Sequence, residues 1–247
     1  MDSKEEIGIS LGWKCEAAQY AVDNGFRKLK IHGYKTCPFD IGVTNYIGIC
    51  KCIEDDFKYF CDPNYLELKL EPQLKKILGD AQTEDQYWIY NTYYNFTFNH
   101  ESPGHGELYK SENWKNGINH FVNNNFEKFI ERYNNRIENF RYYLKNSNHI
   151  NFVMYHYNSI PYELENIIAT KYPTLNFSIY CRVNLSIQTI GVPINKTQEG
   201  AIEFELTYLN YLNIYKNLYP EQYNRYIKHF DINNFQNINS SRIKIIT

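Results

Sequence analysis

Short apolar runs and amphipathic stretches alternate along most of the chain. The apolar runs typical of buried strands are residues 7–11, 150–156 and 176–183. Apolar residues at helical spacing predict helices over residues 13–25, 44–60, 117–145 and 161–171. A strand–helix–strand succession with about twenty residues between its strands is typical of a parallel crossover. We therefore predict an α/β fold with a mostly parallel central sheet flanked by helices.

Two further segments have sequence patterns that predict strands. Residues 28–31 are interpreted as a short strand. Residues 87–100 alternate aromatic and polar side chains, which predicts one half-buried strand. That strand would deliver His100 into a loop rich in glycine and proline over residues 101–106.

The chain length of 247 residues permits a single large core. No internal repeat or flexible linker interrupts the pattern, so we interpret residues 1–247 as one domain. The tail over residues 201–247 is predicted to be a helical C-terminal extension, with two amphipathic helices broken near Pro220.

Composition and charge narrow the class of protein. The 26 basic and 28 acidic residues give a net charge of -2 without a basic stripe, so nucleic-acid binding is not expected. No apolar run reaches the length of about 18 residues that a membrane span needs. The charged N-terminus lacks an apolar signal region, which predicts a cytoplasmic protein whose six cysteines are reduced.

The stretch around Cys15 carries the strongest chemical signal. An apolar strand ends at Gly12, and Cys15 follows three residues later, where a helix begins. The positive end of the helix dipole and the free N–H groups there favour a thiolate over a thiol. Cysteine nucleophiles are commonly presented in this way. The alternative is a small buried thiol that packs the helix onto the sheet.

A histidine would have to serve as the base for Cys15. His100 is the first candidate because it follows a predicted strand and precedes a flexible loop. His105 lies in the same loop, and His156 follows another predicted strand, so both remain alternatives. A nearby histidine can take the proton of the thiol or hold the thiolate in an ion pair.

A third residue could orient the imidazole. Asp40, Glu101 and Asn99 are the candidates. Asp40 stands in a Cys-Pro-Phe-Asp segment, where the proline and the aromatic ring would hold it rigidly. The alternative for Asp40 is a capping or turn aspartate.

Metal and phosphate chemistry are not indicated. His100 and His105 are five residues apart with a proline and a glycine between them, so they cannot form the helical motif of zinc proteases. Cys50 and Cys52 would point to different sides of a helix, which prevents them from ligating one zinc ion. Residues 8–12 lack the glycine spacing and lysine of phosphate-binding loops. We expect no cofactor and no metal.

Several motifs taken in order resemble one family. They are Ser10-Leu11-Gly12 with Cys15, Cys-Pro-Phe-Asp at 37–40, Phe-Asn-His-Glu at 98–101, Tyr133-x-x-Arg136-Ile137 and the strand at 151–154. The family comprises predicted papain-like cysteine peptidases of bacteria and large DNA viruses. The sequence, which is rich in asparagine and tyrosine, is closer to those of the viral members. The resemblance covers about residues 7–183.

The resemblance implies a cysteine hydrolase that acts on a peptide, an isopeptide or another amide without a cofactor. It implies that Cys15 and His100 act together, with Asp40 or Glu101 as orienter. A viral origin would place the protein in the host cytoplasm, and a papain-like α+β arrangement becomes the alternative fold. Ile41 departs from the tryptophan usual at that position, which puts the pocket shape in doubt.

Two other functions stay open at this point. One is a transferase-like or carbohydrate-processing α/β domain, in which Cys15 would be structural. The other is a non-catalytic viral interaction protein, in which exposed aromatic residues of the helix over 117–145 would form a partner surface.

Overall fold

The computed structural model describes residues 6–12, 14–70, 87–103, 105, 107–155, 161–182 and 240–246. The strands of these segments are β1 (Glu6–Ser10), β2 (Leu66–Leu70), β3 (Tyr87–Asn91), β4 (Phe96–Phe98), β5 (His149–Tyr155), β6 (Phe177–Arg182) and β7 (Ile243–Ile245). The helices are α1 (Glu16–Asp23), α2 (Tyr46–Glu54), α3 (Leu108–Ser111), α4 (Asn123–Asn146) and α5 (Tyr162–Lys171).

Four strands form a parallel sheet in the order β1-β5-β6-β7. The central strand β5 is buried from Ile150 onward, as expected of a parallel strand that is covered on both faces. Helix α5 connects β5 to its parallel neighbour β6, so the predicted crossover is confirmed. The α/β fold with a parallel sheet flanked by helices is therefore confirmed.

The end of the chain differs from its predicted helical pattern. Residues 243–245 form β7, which pairs with β6 at the edge of the parallel sheet. The two helices predicted from residue 201 onward and the break at Pro220 lie outside the described residues. No helix in the described segments combines the length and the apolar composition needed to cross a bilayer.

A second, antiparallel sheet has the order β2-β3-β4. The prediction of one strand over residues 87–100 is wrong, because this segment folds back as the β3–β4 hairpin. The turn is stabilised by the Asn91 side chain, whose Oδ1 accepts hydrogen bonds from the N–H groups of Tyr93 and Tyr94. Asn95 completes it with φ of 55°, a conformation that asparagine tolerates better than most residues.

The short strand predicted over residues 28–31 is also wrong. The chain forms a single 3-10 turn at Lys30–His32, which ends at Gly33 with φ of 98°. Ile31 is 83% exposed, so an extended conformation here would not be stabilised by burying this side chain. The left-handed C-cap at Gly33 instead favours a turn.

Helix α4 packs its aromatic side chains inward. The buried rings of this helix are Phe126, Phe129, Tyr133, Phe140 and Tyr143. Tyr142 is the exposed exception, and the expectation of a broad exposed aromatic face is therefore wrong. Residues 124–126 have positive φ, so the regular helical backbone begins after them.

Phe39 lies at the centre of the ring cluster that joins both sheets to α4. The ring of Phe39 contacts four other rings at centroid distances of 5.6–6.4 Å, those of Phe57, Phe60, Phe96 and Phe140. Its side chain is completely buried. The cluster therefore fixes the Cys-Pro-Phe-Asp segment against the rest of the core.

Replacing Phe39 with alanine should lower the free energy of unfolding by about 3–5 kcal/mol, because it removes buried apolar area and leaves a cavity. Urea unfolding of the wild type and of Phe39→Ala measures this loss. Ile31→Ala is the control, since this exposed side chain should change stability by less than about 0.5 kcal/mol. Equal losses in both variants would contradict the central position of Phe39.

Candidate active site

The turn before Cys15 is tightly constrained. Leu11 continues the pairing of β1, since its N–H donates to the carbonyl of Val153 at 2.9 Å. Gly12 then turns the chain with φ of 90°, and a Cβ there would lie 1.7 Å from Thr44 Oγ1. Only glycine fits both this conformation and this close approach.

Cys15 itself is exposed and lies immediately before α1. Its side chain makes no capping hydrogen bond to the helix. The other five cysteines are less accessible: Cys37, Cys50, Cys52 and Cys181 are buried, and Cys61 is half-buried. The alternative in which Cys15 packs the helix onto the sheet as a buried thiol is therefore wrong.

The segment from Phe39 to Thr44 braces this turn. Ser10 Oγ donates to the carbonyl of Phe39 at 3.3 Å and accepts from the N–H of Gly12 at 3.1 Å. Thr44 Oγ1 donates to the carbonyl of Leu11 at 3.2 Å. Two hydroxyl groups thus hold the end of β1 to the segment that follows Cys-Pro-Phe.

Asp40 has a buried carboxylate with two definite partners. Its Oδ1 lies 2.7 Å from Nη1 of Arg27, and its Oδ2 accepts the N–H of Cys37 at 2.8 Å. The guanidinium of Arg27 also lies over the ring of Tyr34, 4.1 Å from its centroid. These contacts are those of a turn aspartate that is neutralised by an arginine.

His100 sits in a short 3-10 turn, Asn99–Glu101, that follows β4. The turn is fixed at its far side by Ser102, whose Oγ donates to the carbonyl of Phe98 at 2.5 Å. The same hydroxyl accepts the N–H of Ile89 at 2.7 Å. The predicted delivery of His100 at a strand end is confirmed, and hydrogen bonds on β3 and β4 hold the backbone around it.

The structure brings the rings of His100 and His105 together, with centroids 4.9 Å apart. Burial lowers the pKa of His100, and the nearby Arg136 and Arg132 act in the same direction, while Glu101 and Glu112 oppose them. A neutral imidazole at neutral pH can accept a proton. His156, the third candidate base, lies outside the described residues.

Glu101 has a fully buried side chain that faces helix α4. Its Oε1 lies 3.1 Å from Arg132 Nη1 and 3.0 Å from Arg136 Nη1. Its Oε2 accepts the hydroxyl proton of Tyr133 at 3.0 Å. Both oxygens of this candidate orienter are therefore engaged by side chains of α4.

Sequence reasoning did not assign these arginines to the site. Arg136 lies on the buried stripe of α4 together with Tyr133 and Ile137. An arginine on a buried helix face needs a carboxylate partner, and this signal could have led to Glu101. Arg27 stands in no comparable pattern, so its pairing with Asp40 could not be found in this way.

The candidate nucleophile and base share a structural support, although no hydrogen bond joins their side chains within the described segments. The residue three before Cys15 packs against Thr44. Thr97, three before His100, exchanges two backbone hydrogen bonds with Val43, at 2.8 and 2.9 Å. Val43 and Thr44, which are adjacent in the chain, thus contact the backbone just before His100 and just before Cys15, respectively.

The chain belongs to the family described as "Putative papain-like cysteine peptidase (DUF1796)", whose model matches residues 7–185. The matched range includes Cys15, Asp40, His100 and Glu101. It also includes the strands of both sheets, apart from β7 and the first residue of β1. No curated protein and no solved structure matches the chain.

In the native protein, iodoacetamide should modify one thiol rapidly, and that thiol should be Cys15. The other thiols react slowly because they are less accessible, and burial raises the pKa of Cys61 and Cys181 to about 12. Intact mass measurement counts the additions. Cys15→Ser should remove the rapid addition, and modification of several thiols at equal rates would contradict the assignment.

When no thiolate lies beside it, as in Cys15→Ser, His100 should titrate below its ordinary pKa of 6.5, because burial disfavours the imidazolium. Because the unfolded chain then binds more protons than the folded one, stability should fall as the pH drops below about 6.5. Urea unfolding at pH 7 and pH 5 should show a smaller loss in His100→Gln than in the wild type. NMR titration of the imidazole in Cys15→Ser, in which no thiolate can pair with it, gives the pKa directly, and a value above 6.5 would refute this prediction.

Proposed function

We propose that the protein is a cysteine hydrolase that cleaves an amide bond of a peptide or isopeptide, with Cys15 as nucleophile and His100 as base. One observation carries the proposal: the exposed thiol among the six lies at a strand–turn–helix junction. Family membership supports the reaction class. The proposed reaction needs no cofactor.

The proposed reaction begins when His100 takes the proton of the Cys15 thiol. The thiolate adds to the carbonyl carbon, and a C–S bond forms as the carbonyl electron pair moves to oxygen. His100 then returns its proton to the amine while the C–N bond breaks, which leaves a thioester on Cys15. Water attacks the thioester with His100 accepting a proton, and cleavage of the C–S bond releases the acid and restores the thiolate–imidazolium pair.

Backbone N–H groups between residues 13 and 15 would stabilise the oxyanion in this proposal. Trp13 lies outside the described residues, so the position of Cys15 immediately before α1 is what supports this assignment. A pair of donors at the start of a helix is suited to developing negative charge.

Among the three candidate orienters, Asn99 fits the proposal better than the two carboxylates. Asp40 and Glu101 are each paired with arginine. Asn99 is buried, and its Oδ1 has no hydrogen-bond partner within the described segments. An amide can orient an imidazole in a cysteine hydrolase, as a carboxylate does elsewhere.

The two alternative functions find less support. A carbohydrate-processing or transferase-like domain would use Cys15 structurally, yet this thiol is exposed and does not cap the helix. An interaction protein that presents the aromatic face of α4 would need that face in solvent, yet its rings are buried apart from Tyr142.

The decisive measurement is the pH dependence of Cys15 alkylation in the wild type and in His100→Ala. At pH 6 the wild type should react about tenfold or more faster than the variant, because an ion pair with the imidazole preserves the thiolate at low pH. His32→Ala is the matched control, since this exposed histidine lies in the turn after Leu29 and should leave the rate unchanged.

Equal rates at pH 6 in the wild type and His100→Ala would refute the pair. If the pair is established, peptide amide substrates should be cleaved by the wild type and not by Cys15→Ser. Acid quenching followed by peptide mapping should locate the acyl group on Cys15, and hydroxylamine should release that group as a hydroxamate, as expected of a thioester.

A further inference from the structure

We propose that Thr44 is a positioning residue that holds the strand end before Cys15 in a fixed relation to the turn that carries His100. Thr44 serves the reaction only if these two residues act as a pair, so this inference rests on the proposed function. Thr44 is buried between the two sheets: its hydroxyl binds the end of β1, and the residue before it pairs with β4.

On the Cys15 side, the hydroxyl of Thr44 holds the backbone that follows β1. Its Oγ1 donates to the carbonyl of Leu11 at 3.2 Å. The same oxygen would lie 1.7 Å from a Cβ on Gly12, so the glycine backbone packs directly against it. Cys15 follows three residues after this glycine. A displacement of the hydroxyl would therefore release the turn that precedes the thiol.

On the His100 side, the contacts come through Val43, which directly precedes Thr44. Val43 forms an antiparallel bridge with Thr97 of β4, and the two residues exchange N–H···O bonds of 2.8 and 2.9 Å. Strand β4 therefore has β3 on one side and Val43 on the other. His100 lies three residues after Thr97, in the turn at the end of this strand.

Asn45, the residue after Thr44, fixes the same segment to two further elements. Its Oδ1 accepts the N–H of Gly48 at 2.7 Å and so caps α2. Its Nδ2 donates to the carbonyls of Tyr94 and Asn95 at 3.0 Å, and these lie in the turn before β4. The segment is thus held on the side of the antiparallel sheet, and the Thr44 hydroxyl extends from it to the parallel sheet.

Two properties of Thr44 can be separated by substitution. The hydroxyl donates the hydrogen bond to Leu11, and the β-branch restricts χ1 and so limits where the hydroxyl can point. Serine keeps the hydroxyl without the methyl group, valine keeps the shape without the hydroxyl, and alanine removes both. The attraction between a thiolate and an imidazolium falls as they move apart, so a loosened strand end should weaken the proposed pair.

The test measures Cys15 alkylation by iodoacetamide between pH 5.5 and pH 9 in Thr44→Val, Thr44→Ala and Thr44→Ser. The valine and alanine variants should lose about fivefold of the wild-type rate at pH 6, where the ion pair preserves the thiolate. At pH 9 they should stay within about twofold of the wild type, because the thiol ionises there without the imidazole. Thr44→Ser should stay within about twofold at both pH values.

Thr92→Val is the matched control. The hydroxyl of Thr92 donates to the carbonyl of Tyr65 at 3.3 Å, so this change removes the same kind of bond at the opposite end of β4 from His100. Thr92→Val should lower the thermal midpoint and leave the pH profile of alkylation unchanged. An equal loss at pH 6 in Thr92→Val would overturn the proposal, because general loosening of the fold would then explain the effect.

A purely structural role of Thr44 would lower the thermal midpoint of the valine and alanine variants while the folded fraction keeps the wild-type pH profile. That result would overturn the proposal, and so would a loss in Thr44→Ser as large as that in Thr44→Val. If Thr44→Val does not fold, Thr44→Ala decides the question, since it adds no methyl group beside Gly12.

A double variant tests whether Thr44 acts through the pair. Thr44→Ala combined with His100→Ala should react at pH 6 no more slowly than His100→Ala alone, because the contact that Thr44 positions is already lost. Losses that add in the double variant would overturn the proposal, since Thr44 would then affect Cys15 independently of His100.

The failure of this proposal differs from the failure of the proposed function. If His100→Ala leaves the rate at pH 6 unchanged, the Cys15–His100 pair fails, and the role of Thr44 fails with it. If His100→Ala lowers that rate and neither Thr44→Val nor Thr44→Ala does, the pair stands and only the positioning role of Thr44 fails.

Discussion

The ion pair between Arg136 and Glu101 is the contact on which the arrangement of the candidate site depends. A buried carboxylate without a partner would cost several kcal/mol, so the turn after β4 can be buried against α4 only because α4 supplies positive charge. Arg27 compensates the buried carboxylate of Asp40 in the same way. The burial of each turn therefore depends on an arginine that lies beside its carboxylate.

The aromatic core works together with this charged cluster. The ring of Phe39 packs among rings from β4, α4 and the segment after α2, directly beside the buried Asp40. Burial in apolar surroundings strengthens the electrostatic attraction and raises the cost of breaking it. The ring cluster and the arginines thus hold the same turn by different forces, and both act on the segment that braces the strand end before Cys15.

Much of the fold could be predicted from the sequence, and the failures have physical reasons. Long apolar runs such as residues 150–156 identify buried strands because parallel strands are apolar on both faces. The alternation over residues 87–100 gave a wrong prediction of one strand, because the turn depends on hydrogen bonds of the Asn91 side chain. Hydrophobic periodicity contains no information about such bonds. Cys15 and His100 could be proposed from their positions at element ends, whereas the partners of Asp40 and Glu101 depend on contacts between distant segments.

The pairing of β1 with β5 has a consequence for how the protein is made. Residues 6–10 leave the ribosome well before their neighbour in the sheet, which spans residues 149–155. The two strands can pair only when the entropic cost of closing the long loop between them is overcome. Until then the strand end near Cys15 is not held in place. During synthesis the thiol of Cys15 therefore stays apart from this part of its structural support until residues 149–155 have emerged. The turn that presents Cys15 is therefore assembled only after β5 has been made and has paired with β1.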